Sequence, residues 1–313
     1  MRTNKDGRIL FHGEFDEDAY WERVKRNLAW LGNSPEEARR NQLKLRDATI
    51  GIAGTGGIGS AAAIRLVRMG AGHLKIADPE VFDLSNVQRQ AAAQLSTLGR
   101  NKAEVTGELA FEISRDATIE VFPEGVNPES AADFVAGCDV VCDQIEVFEW
   151  DAKYALHRAM RESEKCKACL SVATIGHGPL IHKYTRDSTP INELFEIEEG
   201  TELTPATATV LSGGLPRGLM PSFPDLEVVL RHTIETQEAP IWGPTPAICE
   251  GILIELICQQ IMDLPGMVEL PVRPGYAWFD AFSWKTEIVD EETGAAELRQ
   301  QLDVAKALAA QAG

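Results

Sequence analysis

A chain of 313 residues, 44% hydrophobic and 25% charged, is long enough to bury one large α/β core or two smaller ones. Its net charge of −18 excludes a general nucleic-acid binder, which needs a basic face to displace counterions, although a local basic pocket for phosphates stays open. No apolar run approaches the roughly 20 residues of a membrane span, and MRTNKDGRILFHGEFDEDAYW lacks the apolar core of a secretory signal, so a cytoplasmic protein without a membrane partner is expected.

The stretch DEDAYWERVKRNLAWLG predicts a helix, with Tyr20, Val24, Leu28 and Leu31 near helical spacing and a stop at Gly32. Ser34-Pro35-Glu36-Glu37 opens a second helix with an N-cap serine, a first-turn proline and a capping-box glutamate. Residues 1–46 are therefore expected as an N-terminal helical arm, either a dimer or peptide contact or a solvated cap on the sheet. A strand over about 48–53 leads through a glycine turn into a helix that ends near Met69, before Gly70 and Gly72. HLKIAD is the second strand, with Asp78 at its tip. A helix near 101–115, a strand near 118–122, a helix near 129–136 and the strand DVVCDQI continue the alternation. Alternating strands and helices mean a Rossmann-like, doubly wound, mainly parallel sheet, with residues 47–185 as its nucleotide-binding half.

DAKYALHRAMRESEK continues as a helix, and CLSVATIGHGPLIHKY reads as two strands meeting at a glycine turn. From about Pro190 to Pro246 the periodicity dissolves, and TELTPATATVLSGGLPRGLMPSFPD reads as a long crossover loop. PAICEGILIELICQQIMDL is a helix apolar enough to be buried, PGYAWFDAFSWKTEIVD supplies closing strands, and a helical tail follows. Residues 186–313 are thus a mixed-strand extension of the same domain. The six cysteines do not suit a disulfide framework in a chain this long, and Cys166-Lys167-Ala168-Cys169 is a lone C-x-x-C, expected as structural thiols.

Gly54-Thr55-Gly56-Gly57-Ile58-Gly59 satisfies G-x-G-x-x-G between a strand and a helix, the setting in which backbone N–H groups approach phosphate. Gly54, Gly56, Gly57 and Gly59 are the cofactor-binding candidates there, and Asp78, about 20 residues on, suits ribose hydroxyls. The glycines alone leave NAD and ATP open. Beyond Asp78 comes Ser85-Asn86-Val87-Gln88-Arg89-Gln90, and then Arg100 and Lys102. A dinucleotide site has little need for that concentration of cations, whereas a triphosphate losing pyrophosphate does.

This order of motifs, G-x-G-G-x-G-S, an Asp-ended strand, S-N-x-x-R-Q and then a lysine, resembles the ThiF/MoeB/HesA family of ubiquitin-activating-enzyme-like adenylyltransferases. The resemblance covers residues 20–185 well and extends loosely to about 285. It implies attack of a carboxylate on the α-phosphorus of ATP·Mg2+, giving an acyl-adenylate and pyrophosphate. It implies also that Asp78 binds ribose, that Asn86, Arg89 and Gln90 contact phosphate, and that Lys102 lies on the phosphates. Arg26, in ERVKRN, matches the family's arginine finger, which reaches the partner subunit's active site, so a homodimer is implied. Glu146 falls at the position of the family's magnesium aspartate, with Asp143 the alternative metal ligand.

Two departures bear on the substrate. With no cysteine between Leu170 and Ile248, the structural zinc of many relatives is not expected, and the crossover stretch Thr201–Pro224 offers no thiol for a thioester. The resemblance then points to the branch that adenylates a carboxylate of a ribosomal precursor peptide. Activation of the C-terminus of a ubiquitin-like sulfur carrier protein is the alternative. A nicotinamide-dependent oxidoreductase would need an acid or base such as His177 or His182, which read as strand residues, and it leaves Arg89 and Lys102 unexplained. A non-catalytic scaffold is the remaining reading, with Glu146 in place of aspartate as its support.

Overall fold

The computed structural model describes residues 2–5, 7–146, 148–201, 224, 226–236 and 240–312. At its centre lie five parallel strands, β3 (Thr49–Ala53), β4 (His73–Ala77), β5 (Thr118–Phe122), β6 (Val140–Asp143) and β7 (Cys169–Ile175), in the order β5-β4-β3-β6-β7. The chain starts in the middle, winds outward one way, and then reverses between β3 and β6. That is the doubly wound, Rossmann-like topology. Ile50, Ile52, Leu74 and Ile76 are wholly buried, each contributing about 1.5–3 kcal/mol of hydrophobic stabilisation. Because both faces of the central β3 and β6 are covered, those two strands are buried along their whole length instead of alternating.

Helices α2 (Pro35–Asp47), α3 (Gly59–Arg68), α4 (Lys102–Phe111) and α9 (Thr245–Met262) cover one face. Helices α5 (Ala131–Val135), α6 (Trp150–Glu162), α7 (Ile191–Phe195) and α10 (Glu291–Ala312) cover the other. Lys75 is buried in β4, where its ammonium donates to the Asp133 and Ala136 carbonyls at the end of α5. By length and hydropathy α9 is the one described helix apolar enough to cross a membrane. It instead packs on α2, α3, β7 and β8 (Gly178–Tyr184), with Leu253 and Ile257 fully buried, as the core helix its sequence suggests.

The first residues depart from a purely helical arm. β1 (Arg2–Lys5) and β2 (Arg8–Phe11) form a hairpin whose second strand pairs antiparallel with β5. Polar RTNK carries little strand signal, and only Ile9 and Phe11 alternate inward. Helix α1 (Glu17–Val24) is capped by Asp16 and ends about two turns before the expected stop at Gly32. Asn27 there donates to Gln42 Oε1 and to the Met69 carbonyl, and a short 3-10 turn at Leu28–Trp30 follows. The arm is packed, not merely solvated. Tyr20 and Val24 are buried, and a Cβ at Gly70 would come within 2.8 Å of both. As predicted, Ser34 caps α2 by accepting from Glu37 N.

On the other flank β8, β9 (Tyr276–Asp280) and β10 (Lys285–Val289) extend the sheet antiparallel. The stretch 190–246, aperiodic in sequence, contains α7 and α8 (Leu226–Thr236). The five residues of α7 are too few to show a period, although Ile191, Leu194 and Phe195 all turn inward. The crossover stretch Thr201–Pro224 lies almost wholly outside the described residues.

Candidate active site

An open cleft of about 210 Å3 lies at the C-terminal ends of β3 and β6, where the strand order reverses and open α/β sheets bind ligands. Gly54 leaves β3 with φ +97°, and its N–H donates to Ala77 O at 2.8 Å. A Cβ at Gly54 would stand 2.1 Å from the Gln144 carbonyl oxygen, and one at Gly59 only 1.9 Å from Gly54 O. Those two glycines close the turn on itself and on the sheet. Gly56 is different, because the nearest atom to a Cβ there is Gln90 Nε2 at 3.8 Å, so this side of the turn faces open space. No side chain caps α3, which leaves N–H groups of its first turn for an anion.

Seven of the expected residues meet on this cleft: Gly56, Gly57, Gly59, Arg89, Gln90, Asp143 and Glu146. Gly54, Asp78, Asn86 and Lys102 are not among its lining residues. Asp78 is 5% exposed and braces the glycine turn, accepting from Thr55 N at 2.7 Å and Thr55 Oγ1 at 3.2 Å. Its other oxygen accepts from Glu80 N. Burial raises the Asp78 pKa against the pull of those backbone hydrogen bonds and Lys102. Asn86 forms a reciprocal capping box with Asp83, which fixes the 3-10 turn Leu84–Gln88. Arg89 then donates to Ser85 O at 3.0 Å, while the buried Gln90 Oε1 has no partner among the described residues. Lys102 begins α4 under its N-cap Asn101, with a buried stem and its ammonium 2.7 Å from Glu80.

The two carboxylates considered for the metal differ sharply. Asp143 is buried, with Lys153 Nζ 2.8 Å from one oxygen and His157 Nε2 3.0 Å from the other. Burial alone would raise its pKa, but Lys153 and His157 prevail and hold it well below the usual carboxylate range. Both oxygens are engaged, so Asp143 does not suit the metal role implied for it. Glu146 is exposed toward the cleft. The protein mass around its carboxyl and the nearby Glu80 nevertheless raise its pKa, with Lys153, Lys102 and Arg89 opposing. Mg2+ commonly takes one or two carboxylates plus phosphate oxygens, so this lone carboxylate fits such an ion.

Lys153 and His157 escaped the sequence reading, although their spacing on the helix after β6, three and seven residues past Trp150, places them on the strand-facing side. Cys169 Sγ lies 3.8 Å from His157 Nε2, the nitrogen already facing Asp143, so no Cys-His-Asp relay forms. All six cysteines are buried, and burial pushes Cys166 up to about 11 and Cys249 and Cys258 to about 12. His177 stacks on Phe282 at the β7–β8 turn. His182 lies within β8 and also lines the inner end of the cleft, a position its strand pattern does not reveal. Burial, with Arg273 and Lys153, holds it well below the ordinary imidazole value. Arg26 is exposed and lines no part of its own chain's cleft.

Fold and cleft together define a Rossmann-like protein whose ligand site lies over a glycine turn. The chain belongs to the ThiF family, whose model matches residues 24–265. It is 34% identical over 104 residues to the tRNA threonylcarbamoyladenosine dehydratase of Haemophilus influenzae, covering 33% of this chain and 40% of that protein. It is likewise 34% identical over 102 residues to the sulfur carrier protein ThiS adenylyltransferase of Escherichia coli K12, covering 33% and 41%. The matched stretch thus spans well under half of these relatives' own length. Among solved structures, E. coli MccB superposes with a TM-score of 0.61 at 14% identity when crystallised with MccA-N7isoASN, covering 86% of this chain and 71% of that one. The MccB crystal with ATP gives 0.60 at 13%, covering 88% and 73%. At such identity the likeness shows the fold.

Proposed function

We propose that the protein adenylates a carboxylate on a peptide or small protein, using ATP. The observation that carries this reading is the juxtaposition, on one cleft, of an open-sided glycine turn with Arg89, Gln90 and Glu146. An oxygen of the acceptor carboxylate attacks the α-phosphorus, the bond to the β-phosphate oxygen breaks, and pyrophosphate leaves with the electron pair. Arg89 neutralises charge that builds on the phosphates. Lys102, tied to Glu80 in the free protein, exchanges that partner for a phosphate oxygen. Asp78 holds the turn beneath the ribose, and Asn86 and Gln90 complete the polar wall. Mg2+, when bound, supplies further neutralisation of the phosphates, and Glu146 is the residue that would hold it.

A ribosomal precursor peptide is the favoured substrate. Support comes from the thiols: every cysteine is buried, and the pKa values given above leave little thiolate to receive the acyl group. Amide formation or cyclisation then suits the adenylate better than a thioester on this chain. Activation of a sulfur carrier protein, with sulfur supplied by another protein, is the second reading, favoured by the relative named for ThiS. We assign Arg26 to the partner's cleft in a homodimer.

Calorimetry with ATP·Mg2+ and with NADH tests the reaction class. Binding of ATP·Mg2+ that weakens about tenfold in Lys102→Ala is expected, the loss of one charge-assisted contact. Tight NADH binding indifferent to Lys102 would overturn the reading. The dimer is tested by mixing inactive Arg26→Ala and Lys102→Ala subunits. Recovery of pyrophosphate exchange is expected if Arg26 acts across the interface, and none if it acts in its own subunit.

A further inference from the structure

Past Glu146 the cleft continues inward between the β7–β8 strands and helices α6 and α7, a stretch that nucleotide chemistry at the glycine turn does not use. Trp150, Tyr184, Ile191 and Phe195 wall this inner end, with Ser171 and His182 on its floor. The walls look apolar, but they also present an indole N–H at Trp150, which can only donate, and the Tyr184 and Ser171 hydroxyls, which can donate. Trp150 is 5% exposed, and its indole N–H has no hydrogen-bond partner among the described residues. A buried N–H is left unpaired only rarely, and such groups usually await a ligand or water.

Directly behind the wall sits a buried cation. Arg273 is 5% exposed, its Nη1 donates to the Pro274 carbonyl at 2.9 Å, and its Nε has no partner among the described residues. Its guanidinium lies over the Phe195 ring at 5.6 Å and hydrogen-bonds Tyr184. Arginine can only donate, so the Tyr184 oxygen accepts and its own O–H is left to point elsewhere. No carboxylate stands within ion-pair distance of Arg273 among the described residues. Lys153 is already cancelled by Asp143, whose oxygens are both taken. This end of the cleft therefore sets a buried guanidinium, offset in part by Glu297, behind a wall that presents the unpaired Trp150 N–H and the Tyr184 hydroxyl, a combination suited to an anion.

We propose that the inner end of the cleft is a carboxylate-binding subsite, taking a second acidic group of the acyl substrate while the carboxylate to be activated lies at the Glu146 end. The inference rests on the adenylation reading for the identity of that substrate, and it narrows the class to peptides with two neighbouring carboxylates at the point of activation. The flat walls of Trp150 and Phe195 suit the planar carboxylate and its methylene stem. The nucleotide phosphates have their own cradle at the glycine turn, at the opposite end.

The test uses N-acetyl-L-glutamate, a dicarboxylate, against N-acetyl-L-glutamine, its near-isosteric monocarboxylate, followed by ligand-observed NMR on the full chain. Wild type is expected to prefer the dicarboxylate by about tenfold, consistent with one extra charge-assisted hydrogen bond. Trp150→Phe, which keeps a ring and loses the N–H, should erase most of that preference, and Lys102→Ala should retain it. If Trp150→Phe fails to fold, Tyr184→Phe removes the second donor and makes the same prediction. Equal binding of the two ligands would overturn the subsite, as would a preference untouched by both variants. A preference lost in Lys102→Ala, with inorganic pyrophosphate displacing the dicarboxylate, would assign this end to the nucleotide and overturn it too. ATP·Mg2+ titrated into the same samples separates the two readings: Lys102-dependent binding without a dicarboxylate preference leaves adenylation standing and removes only the subsite.

Discussion

Asp143 and Glu146 are three residues apart and occupy opposite electrostatic worlds. The region around Asp143 is closed, and each of its oxygens has a buried cationic or imidazole partner. The region around Glu146 is open, with no ion-pair partner within contact distance among the described residues. A saturated carboxylate holds structure, since removing one member of a buried pair strands the other. An unsaturated one at a cleft mouth is available for a cation or a substrate. The sequence resemblance ranks Glu146 ahead of Asp143, and the helix that brings Lys153 and His157 under β6 gives the physical reason.

The largest expected effect comes from breaking that contrast directly. Asp143→Asn should lose about 3–5 kcal/mol of stability, read from the denaturant midpoint at unchanged slope, because Lys153 is left buried without its charge partner. Glu146→Gln should change stability by less than about 0.5 kcal/mol, as exposed substitutions do, while weakening the binding of ATP·Mg2+. If the two variants unfold alike, the closed and open regions are not different in kind. Next in size is the glycine pair. Gly54→Ala, at positive φ and against the Gln144 carbonyl, should cost at least about 2 kcal/mol in thermal unfolding. Gly56→Ala should leave the fold intact and impair nucleotide binding, because its Cβ enters the cleft.

The smallest effect is in pH dependence, and it has opposite signs for the two carboxylates. Asp143 has a lowered pKa, so its stabilisation is present above the unfolded value of about 3.9 and fades as pH falls toward its folded value. Asp143→Asn should flatten the acid limb of the stability curve. Glu146 has a raised pKa, so its contribution is present below its unfolded value of about 4.3 and is lost as pH rises through the folded one. Glu146→Gln should therefore be neutral or slightly stabilising above that range, measured by the same unfolding series.

The central strands are legible in sequence because each is an apolar run bounded by glycine or aspartate, as at Ile50–Gly54 and Leu74–Asp78. The glycine turn is legible for the same reason. The hairpin of β1 and β2 is not, since two inward residues on a strand edge leave almost no alternation to see. The site divides in the same manner. Glu146 lies three residues past the end of β6, and Arg89 and Gln90 close the polar run Ser85–Gln90, so all three stand out as polar punctuation. Trp150 and His182 reach the inner cleft, and Arg273 its place behind the wall, only through helix docking and antiparallel pairing over long sequence separations. Their neighbours in the chain say nothing about it.

The sheet's antiparallel flanks have one more consequence. Its outermost strands, β1 and β10, present Arg2 and Asn4 at one rim and Lys285 and Glu287 at the other, all exposed. Such rims discourage another strand from adding to the unpaired backbone, which is how open sheets resist growing into fibres. A ten-stranded sheet left with two free margins can therefore stay discrete at high concentration. A Lys285→Val, Glu287→Val double variant, followed by light scattering, should begin to form assemblies larger than those of the parent chain.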